Sequence, residues 1–145
     1  MNTSEACIET CNKLLRGELS AIQTYGQALE KFDESPEGMT LRQILADHQD
    51  SAFALRDFVL EMGGVPAADS GPWGSFAMAV EGTAKLFGDS AALQALKAGE
   101  EHGIKEYEDA LESPDVMEEA RKTIRDMLLP RLIEHLSRLD TLQAR

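Results

Sequence analysis

Two glutamates recur inside a repeated segment and are the first candidates for chemistry. Glu18 lies in GELSAIQTYGQAL and Glu100 in GEEHGIKEYEDAL, and the two segments share six of their thirteen residues. In both segments the glutamate interrupts a stripe of apolar residues three or four apart, the spacing of one face of a helix. A carboxylate on an apolar face is costly to bury unless hydrogen bonds, a cation or a metal ion compensate it.

Two histidines repeat in the same way and complete a set of metal-binding side chains. His48 lies in LADHQDSAFAL and His135 in LIEHLSRLDTL, which share the pattern L-x-[DE]-H-x-x-x-x-x-x-L. One such residue on each of four neighbouring helices can converge in a single layer, because packed helix axes lie roughly 8–10 Å apart. Two carboxylates and two imidazoles suit one Fe, Mn or Zn ion. The predicted metal ligands are Glu18, His48, Glu100 and His135.

A tyrosine follows each glutamate by seven residues, at Tyr25 and Tyr107. Seven residues of helix rise about 10.5 Å, and helical side chains lean toward the N-terminus. Each phenol can therefore reach the site directly or through one water. Both tyrosines are predicted to orient the ligands without binding the metal themselves. A redox-active role and an ordinary buried hydrogen bond to a backbone carbonyl are the alternatives.

Three interpretations of the four polar residues stay open. They can hold a metal ion, or the glutamates and histidines can satisfy one another in a metal-free network that fixes helix register. In the third, some of them lie at the rim and never converge. Gly17 and Gly99 directly precede the two glutamates, although a glycine inside a helix costs roughly 1 kcal/mol relative to alanine. They indicate close helix approach, room for a ligand, or a relic of duplication.

Four long helices are needed to position these residues, and the sequence predicts an all-α fold. Apolar residues recur at steps of three and four along four segments, and β-branched residues are few. The first hairpin is predicted at about residues 4–62, a long crossover with a short extra helix at 63–89, and the second hairpin at about 90–143. Because each hairpin exposes an apolar stripe, the two should pack as one four-helix-bundle domain over residues 1–145.

Proline and glycine mark the predicted helix boundaries. Ser-Pro-acid triplets at 35–37 and 113–115 have the pattern that begins a helix. Gly63 and its neighbour end the second helix. Pro130 lies inside the last predicted helix, where it should kink the helix and free the carbonyl of Asp126.

The composition of the chain argues against some classes of binding partner. The chain has 26 acidic and 14 basic residues, a net charge of −12 and no basic cluster, which argues against nucleic-acid binding. No apolar run can cross a membrane and the start MNTSEACIET lacks signal-peptide features, so the cytoplasm is the expected compartment. Cys7 and Cys11, four apart on a predicted helix, are expected to be small core residues rather than a disulfide. A homodimer and an unidentified protein partner stay open.

Three stretches resemble the ferritin-like superfamily: LLRGELSAIQTYGQALEKF, GPWGSFAMAVEGTAKLFG and LKAGEEHGIKEYEDAL. More closely, they resemble a family of small bacterial ferritin-like proteins described as a domain of unknown function. The resemblance covers nearly the whole chain, and its second and third stretches are the most specific. It implies a bundle of two related helical hairpins and a bacterial setting, and it implies no established activity.

The resemblance carries over only in part to the metal ligands. Di-iron members of the superfamily supply Glu from the first and third helices and Glu-x-x-His from the second and fourth. Glu18 and Glu100 match the first and third positions, whereas Leu45 and Leu132 stand three residues before the histidines. A two-metal centre with ferroxidase or oxygenase activity is therefore not expected, but one metal ion in a Glu2His2 site is.

The sequence thus predicts a small bacterial ferritin-like protein without established catalysis, which binds one transition-metal ion and serves in stress response or metal handling. The alternative is a metal-free helical interaction module whose Glu/His/Tyr core network is structural. A third hypothesis is a degenerate ferritin-like oxidase that uses Tyr25 or Tyr107. The missing ligands argue against this oxidase, so the sequence favours a protein that is not an enzyme without excluding one.

Overall fold

The computed structural model describes residues 3–32, 34–71 and 88–144, and within these ranges the chain is helical and has no strand. In chain order, the elements are α1 (Thr3–Phe32), α2 (Pro36–Glu61), α3 (Asp89–Glu112), α4 (Glu118–Thr123), a π-helical turn (Ile124–Leu128) and α5 (Leu129–Gln143). None of these helices is long and apolar enough to cross a membrane. The short crossover helix predicted at 75–87 lies outside the described residues.

The helices pack as the predicted pair of hairpins. α1 packs mainly against α2, and α3 packs mainly against α5. Contacts of α1 with α3 and of α2 with α5 then join the two hairpins into a four-helix bundle. The all-α bundle predicted from the apolar spacing is therefore confirmed.

The apolar core is divided into two clusters, one on each side of a polar layer. Examples from the first cluster are Cys11, Leu15, Leu55, Tyr107 and Leu128. Examples from the second cluster are Phe32, Leu41, Ile44, Leu96 and Leu139. Along every long helix, the residue assigned to the metal site lies between members of the two clusters. The polar layer is thus sealed above and below by packed apolar side chains.

The cysteines pack in the first cluster, as expected of small core residues. Cys7 and Cys11 are both free thiols without solvent exposure. Burial and the neighbouring Cys7 raise the pKa of the Cys11 thiol to about 12. Because the thiolate is the reactive form, this thiol is poorly suited to nucleophilic or redox chemistry.

The two Ser-Pro-acid triplets do not have the same structure. The first begins a helix as predicted, with Ser35 at the N-cap and Pro36 in the first turn of α2. The prediction for the second is wrong, because α4 begins only at Glu118. There the Ser113 hydroxyl accepts the Asp115 N–H at 3.2 Å and closes a local turn. Such side-chain bonds compete with helix formation.

An arginine holds the connection before α4 in its non-helical form. The Arg121 guanidinium donates to the carbonyls of Leu111, Ser113 and Val116. This connection buries Val116 and leaves Met117 44% exposed. Met117 therefore does not belong to the apolar stripe in which the sequence placed it.

Pro130 is accommodated by a change of helix type. The π-helical turn at 124–128 directly precedes it, and the Leu129 N–H bonds the carbonyl of Ile124, five residues back. A π-turn inserts one extra residue and shifts the hydrogen-bond pattern. The local disruption predicted from the proline is thus taken up within a continuous run of helical backbone that ends at Gln143.

Gly63 provides a test of how α2 ends. Its φ of 82° lies in the left-handed region, and the next residue, Gly64, donates its N–H to the Val59 carbonyl at 2.9 Å. Gly63→Ala should lower the free energy of unfolding by about 1–2 kcal/mol, because a Cβ strains this conformation. The control is Gly26→Ala in α1, where a Cβ meets no atom within 4 Å. Urea unfolding should show no loss for the control, and equal losses would contradict this explanation.

Candidate metal centre

The polar layer contains all four residues predicted as ligands. Each comes from a different long helix of the bundle and is at most 3% exposed. Because these side chains are almost fully buried, they depend largely on one another for hydrogen bonds. The four residues of the layer are Glu18 on α1, His48 on α2, Glu100 on α3 and His135 on α5.

His48 bridges the two hairpins. Its Nδ1 lies 2.6 Å from Oε2 of Glu18, and its Nε2 lies 2.7 Å from Oε1 of Glu100. One imidazole therefore contacts the carboxylate of its own hairpin and the carboxylate of the other. Both distances are at the short end of the range for charge-assisted hydrogen bonds.

The two tyrosines cross between the repeats. Tyr25, in the first repeat, donates its hydroxyl to Oε1 of Glu100 at 2.7 Å. Tyr107, in the second repeat, donates to Oε1 of Glu18 at 2.6 Å. Each phenol thus bonds the carboxylate of the opposite hairpin, not the one seven residues before it in the sequence. The duplication generates a reciprocal pair of bonds between α1 and α3.

His135 completes the layer less tightly than His48. Its Nδ1 lies 3.4 Å from Oε2 and 3.3 Å from Oε1 of Glu100. The imidazole rings of His48 and His135 have centroids 4.9 Å apart. The structure therefore links the four predicted residues in one chain of contacts, with Glu100 touching both histidines.

Asp47 is a member of the site that sequence reasoning missed. Its Oδ2 lies 2.8 Å from Nε2 of His135, the ring nitrogen that points away from Glu100. Adjacent helical residues point about 100° apart, so the sequence gives no reason to place Asp47 in the layer of His48. It lies at the rim, 43% exposed, and reaches a different helix. The pairing of α2 with α5 is the information that the sequence pattern lacked.

Mutual contacts fix the charges of the layer. Burial by itself lowers the pKa of His48, but the carboxylates of Glu18 and Glu100 outweigh it and raise the pKa to about 10. Burial raises the pKa of Glu100, yet the neighbouring His48 and His135 lower it to about 2. Burial and the adjoining carboxylates raise the pKa of both tyrosines well above their usual value. At neutral pH His48 is thus protonated, Glu100 ionised and the phenols neutral.

Three residues present ligand atoms close enough to share one ion. Single ligand atoms of His48, Glu100 and His135 all lie within 4.8 Å of one another, and all three side chains are buried. Glu18 adjoins this group through His48. Imidazole nitrogen and carboxylate oxygen are suitable donors for Zn, Fe and Mn. The donor set therefore fits one transition-metal ion.

The histidine helices depart from the Glu-x-x-His pattern of the di-iron members of the superfamily. A second carboxylate on each histidine helix would stand at the positions of Leu45 and Leu132, one helical turn before the histidines. Leu132 is buried and packs in the first apolar cluster. Apolar side chains thus occupy the places where two further oxygen ligands would be required.

Comparison with known proteins identifies the fold. The protein family described as Domain of unknown function (DUF2383) matches residues 6–113. A solved structure described as "Crystal structure of ferritin like, diiron-carboxylate proteins from Bacillus anthracis str. Ames" is 21% identical, with 99% of both chains covered and a TM-score of 0.79. This likeness confirms the ferritin-like fold. No curated protein matches the chain. The family match includes Glu18, His48 and Glu100 and ends before His135.

The charges of the layer predict how the metal-free protein responds to pH. The raised pKa of His48 contributes stability that is complete below pH 6.5 and is lost as the pH rises toward 10. The lowered pKa of Glu100 contributes stability that is present above pH 4.5 and is lost as the pH falls toward 2. Urea midpoints should therefore be highest between pH 4.5 and 6.5.

Two single histidine variants, one buried and one exposed, test the origin of this pH dependence. His48→Gln should remove most of the decline between pH 6.5 and 10. His102→Gln should leave the decline in place, because the His102 side chain is 58% exposed. An unchanged alkaline decline in the His48 variant would mean that other groups cause it.

Proposed function

The chain belongs to the family described as Domain of unknown function (DUF2383), and on that premise we propose that its bundle core binds one divalent transition-metal ion. The proposed ligands are His48, Glu100 and His135, with Glu18 as the second carboxylate. We further propose a role in metal handling or stress response in the bacterial cytoplasm. The buried group of two histidines and one glutamate is compatible with metal binding.

One observation carries the proposal: three buried ligand atoms from three different helices lie within 4.8 Å of one another. Buried imidazoles and carboxylates are uncommon in apolar cores unless they are paired or hold a metal. Here they are held by long helices rather than by loops. The helices therefore fix the positions of the ligands before an ion arrives, which reduces the cost of ordering them.

The charge balance of the layer supports a divalent cation. The protonated His48 offsets the charge of the ionised Glu100, and Glu18 places a second buried carboxyl group against the same imidazole. Metal binding requires neutral imidazole and ionised carboxylate, and it releases the imidazole proton. A divalent ion in exchange for that proton would bring the two carboxylates close to neutrality.

The solved structure from Bacillus anthracis is described as a diiron-carboxylate protein, and its fold supports the proposal of a metal ion in the core of this chain. One ion, not two, is proposed here because Leu45 and Leu132 replace the additional carboxylates. A bound iron or manganese ion would supply one-electron chemistry, whereas zinc would supply only Lewis acidity. The residues of this chain would bind the ion and, through Tyr25 and Tyr107, orient its carboxylate ligands.

A metal-free structural role is the second candidate, and the hydrogen bonds of the layer favour it. Glu18 and Glu100 each accept bonds from one phenol and one imidazole. A fully satisfied network of this kind can specify which helices pair. In that case the protein would act through its surface, as a helical interaction module.

Metal content separates the two candidates. The untagged protein should contain about one Fe, Mn or Zn ion per chain by elemental mass spectrometry. Glu18→Gln with Glu100→Gln should lose it, because a neutral amide replaces each anionic ligand while keeping its shape. The control is Glu101→Gln, an exposed neighbour on α3. An absence of metal from every variant, even after incubation with Fe(II), Mn(II) and Zn(II), would sink the metal proposal and leave the structural network.

Asp47 should tune metal affinity through His135. With Nε2 bonded to Asp47, Nδ1 is the ring nitrogen that faces Glu100 and the proposed ion. Asp47→Ala should raise the metal dissociation constant about 10- to 100-fold, as loss of a partner behind a ligand typically does. Asp50→Ala is the matched control, since it removes an ion pair to Arg131 on the same two helices. Equal affinities of the two variants in competition titrations would exclude the positioning role.

A further inference from the structure

Two features shared by both repeats, the glutamate and the glycine before it, lie at one cavity. The cavity has a volume of about 50 Å³ and adjoins the polar layer. Gly17 and Gly99 contribute to its wall together with Leu14, Leu96 and Leu132. Metal binding accounts for the glutamates, whereas it gives no reason for the glycines. With Gly103 on α3, three helical glycines lie on the wall of this one cavity and leave its space open.

Three of the polar side chains on this wall are carboxylates, which accept hydrogen bonds. Glu18 and Glu100 line the cavity, and Glu106 adds a third carboxylate. Oε1 of Glu106 lies 3.2 Å from His102, while its Oε2 is buried and has no hydrogen-bond partner among the described residues. A buried carboxylate oxygen without a partner is costly. Oε2 of Glu106 is therefore able to accept a hydrogen bond from a molecule bound in the cavity.

Among the described wall residues, the hydrogen-bond donors already have partners, including His48 between Glu18 and Glu100. The hydroxyls of Tyr25 and Tyr107 donate to the core carboxylates. The Thr24 hydroxyl donates to the Ser20 carbonyl at 2.7 Å. A molecule entering the cavity would thus meet apolar walls and acceptor oxygens. An anion would meet carboxylates and would be repelled.

We propose that this cavity is a binding pocket for a small molecule with an apolar body and one hydrogen-bond-donating end, of the class of short-chain alcohols and primary amines. The donating end contacts Oε2 of Glu106, the wall carboxylate oxygen without a described partner, and the body packs against the leucines. About 50 Å³ is several times the minimum of roughly 10–15 Å³ that one water requires, so the cavity has room for a molecule of a few non-hydrogen atoms. 1-Propanol and 1-propylamine have this size.

The pocket does not depend on the metal proposal. Its walls and its acceptor oxygens are present in the metal-free chain, so binding can be measured with and without an added ion. A protein that binds no metal can still bind the small molecule, and the reverse also holds. Failure of one proposal is therefore distinguishable from failure of the other.

NMR titration with three probes tests the pocket: 1-propanol, 1-propylamine and propionate. Methyl resonances of Leu14, Leu96 and Leu132 should shift saturably with at least one of the first two probes and not with propionate. If the preferred donor is a cation, Glu106→Gln should lower the affinity for 1-propylamine at least fivefold and the affinity for 1-propanol less than twofold. Similar effects on both probes would assign the site to a neutral donor.

Glycine variants test the location of the site. Gly17→Ala and Gly99→Ala each add a methyl group at the wall. Each variant should lower the affinity of the cavity for the probe at least tenfold. Gly26→Ala, which places a Cβ in open space on α1, should not change its affinity. Ala21→Leu, also at the wall, provides a second route if a glycine variant fails to fold. No saturable methyl shift with either donor probe, or equal affinities in the wall and control variants, would overturn the proposal.

Discussion

His48 lies between two buried carboxylates that belong to different hairpins, at 2.6 Å from Glu18 and 2.7 Å from Glu100. The need to compensate those buried carboxylates is the constraint on which the surrounding structure depends. Each needs a donor or a cation, because an ionised group left unpaired in an apolar core costs several kcal/mol, roughly, even after relaxation. The positions of the tyrosines, of the second histidine and of both apolar clusters follow from meeting that need in one layer.

The duplication accounts for much of this arrangement. The two repeats are equivalent in the bonds of their tyrosines but not in those of their histidines. The two tyrosines keep a reciprocal pattern, each bonded to the glutamate of the other repeat. The two histidines do not, since His48 bonds two buried carboxylates whereas His135 bonds the rim residue Asp47. One histidine therefore belongs fully to the core network. The other links that network to the surface and is held more loosely on its inner side.

The sequence was sufficient for the fold because apolar spacing, two hairpins and a long crossover admit few packings. It was insufficient wherever an outcome depended on which helices lie side by side. Ser-Pro-acid triplets begin α2 but not α4, because Arg121 is in place to bond the carbonyls of the second connection. Asp47 was overlooked because its partner belongs to another helix.

Distances along a single helix also left the tyrosine pairing undetermined. A phenol seven residues after a glutamate can reach toward its own repeat or across to the other. The crossed pairing depends on the side-by-side placement of α1 and α3, which the repeat suggests but does not specify. The types and the layer of the site residues were thus predictable, whereas the identity of each partner was not.

The metal-free network and a metal site are two uses of one geometry. In the network, a proton on His48 supplies the positive charge between the carboxylates. In a metal site an ion takes over that charge, and the imidazole must give up the proton to bind it. The bonds from the tyrosines need not change, because phenols donate to carboxylates whether or not those carboxylates also bind an ion. The layer that stabilises the bundle without metal is therefore already close to the arrangement that an ion would require.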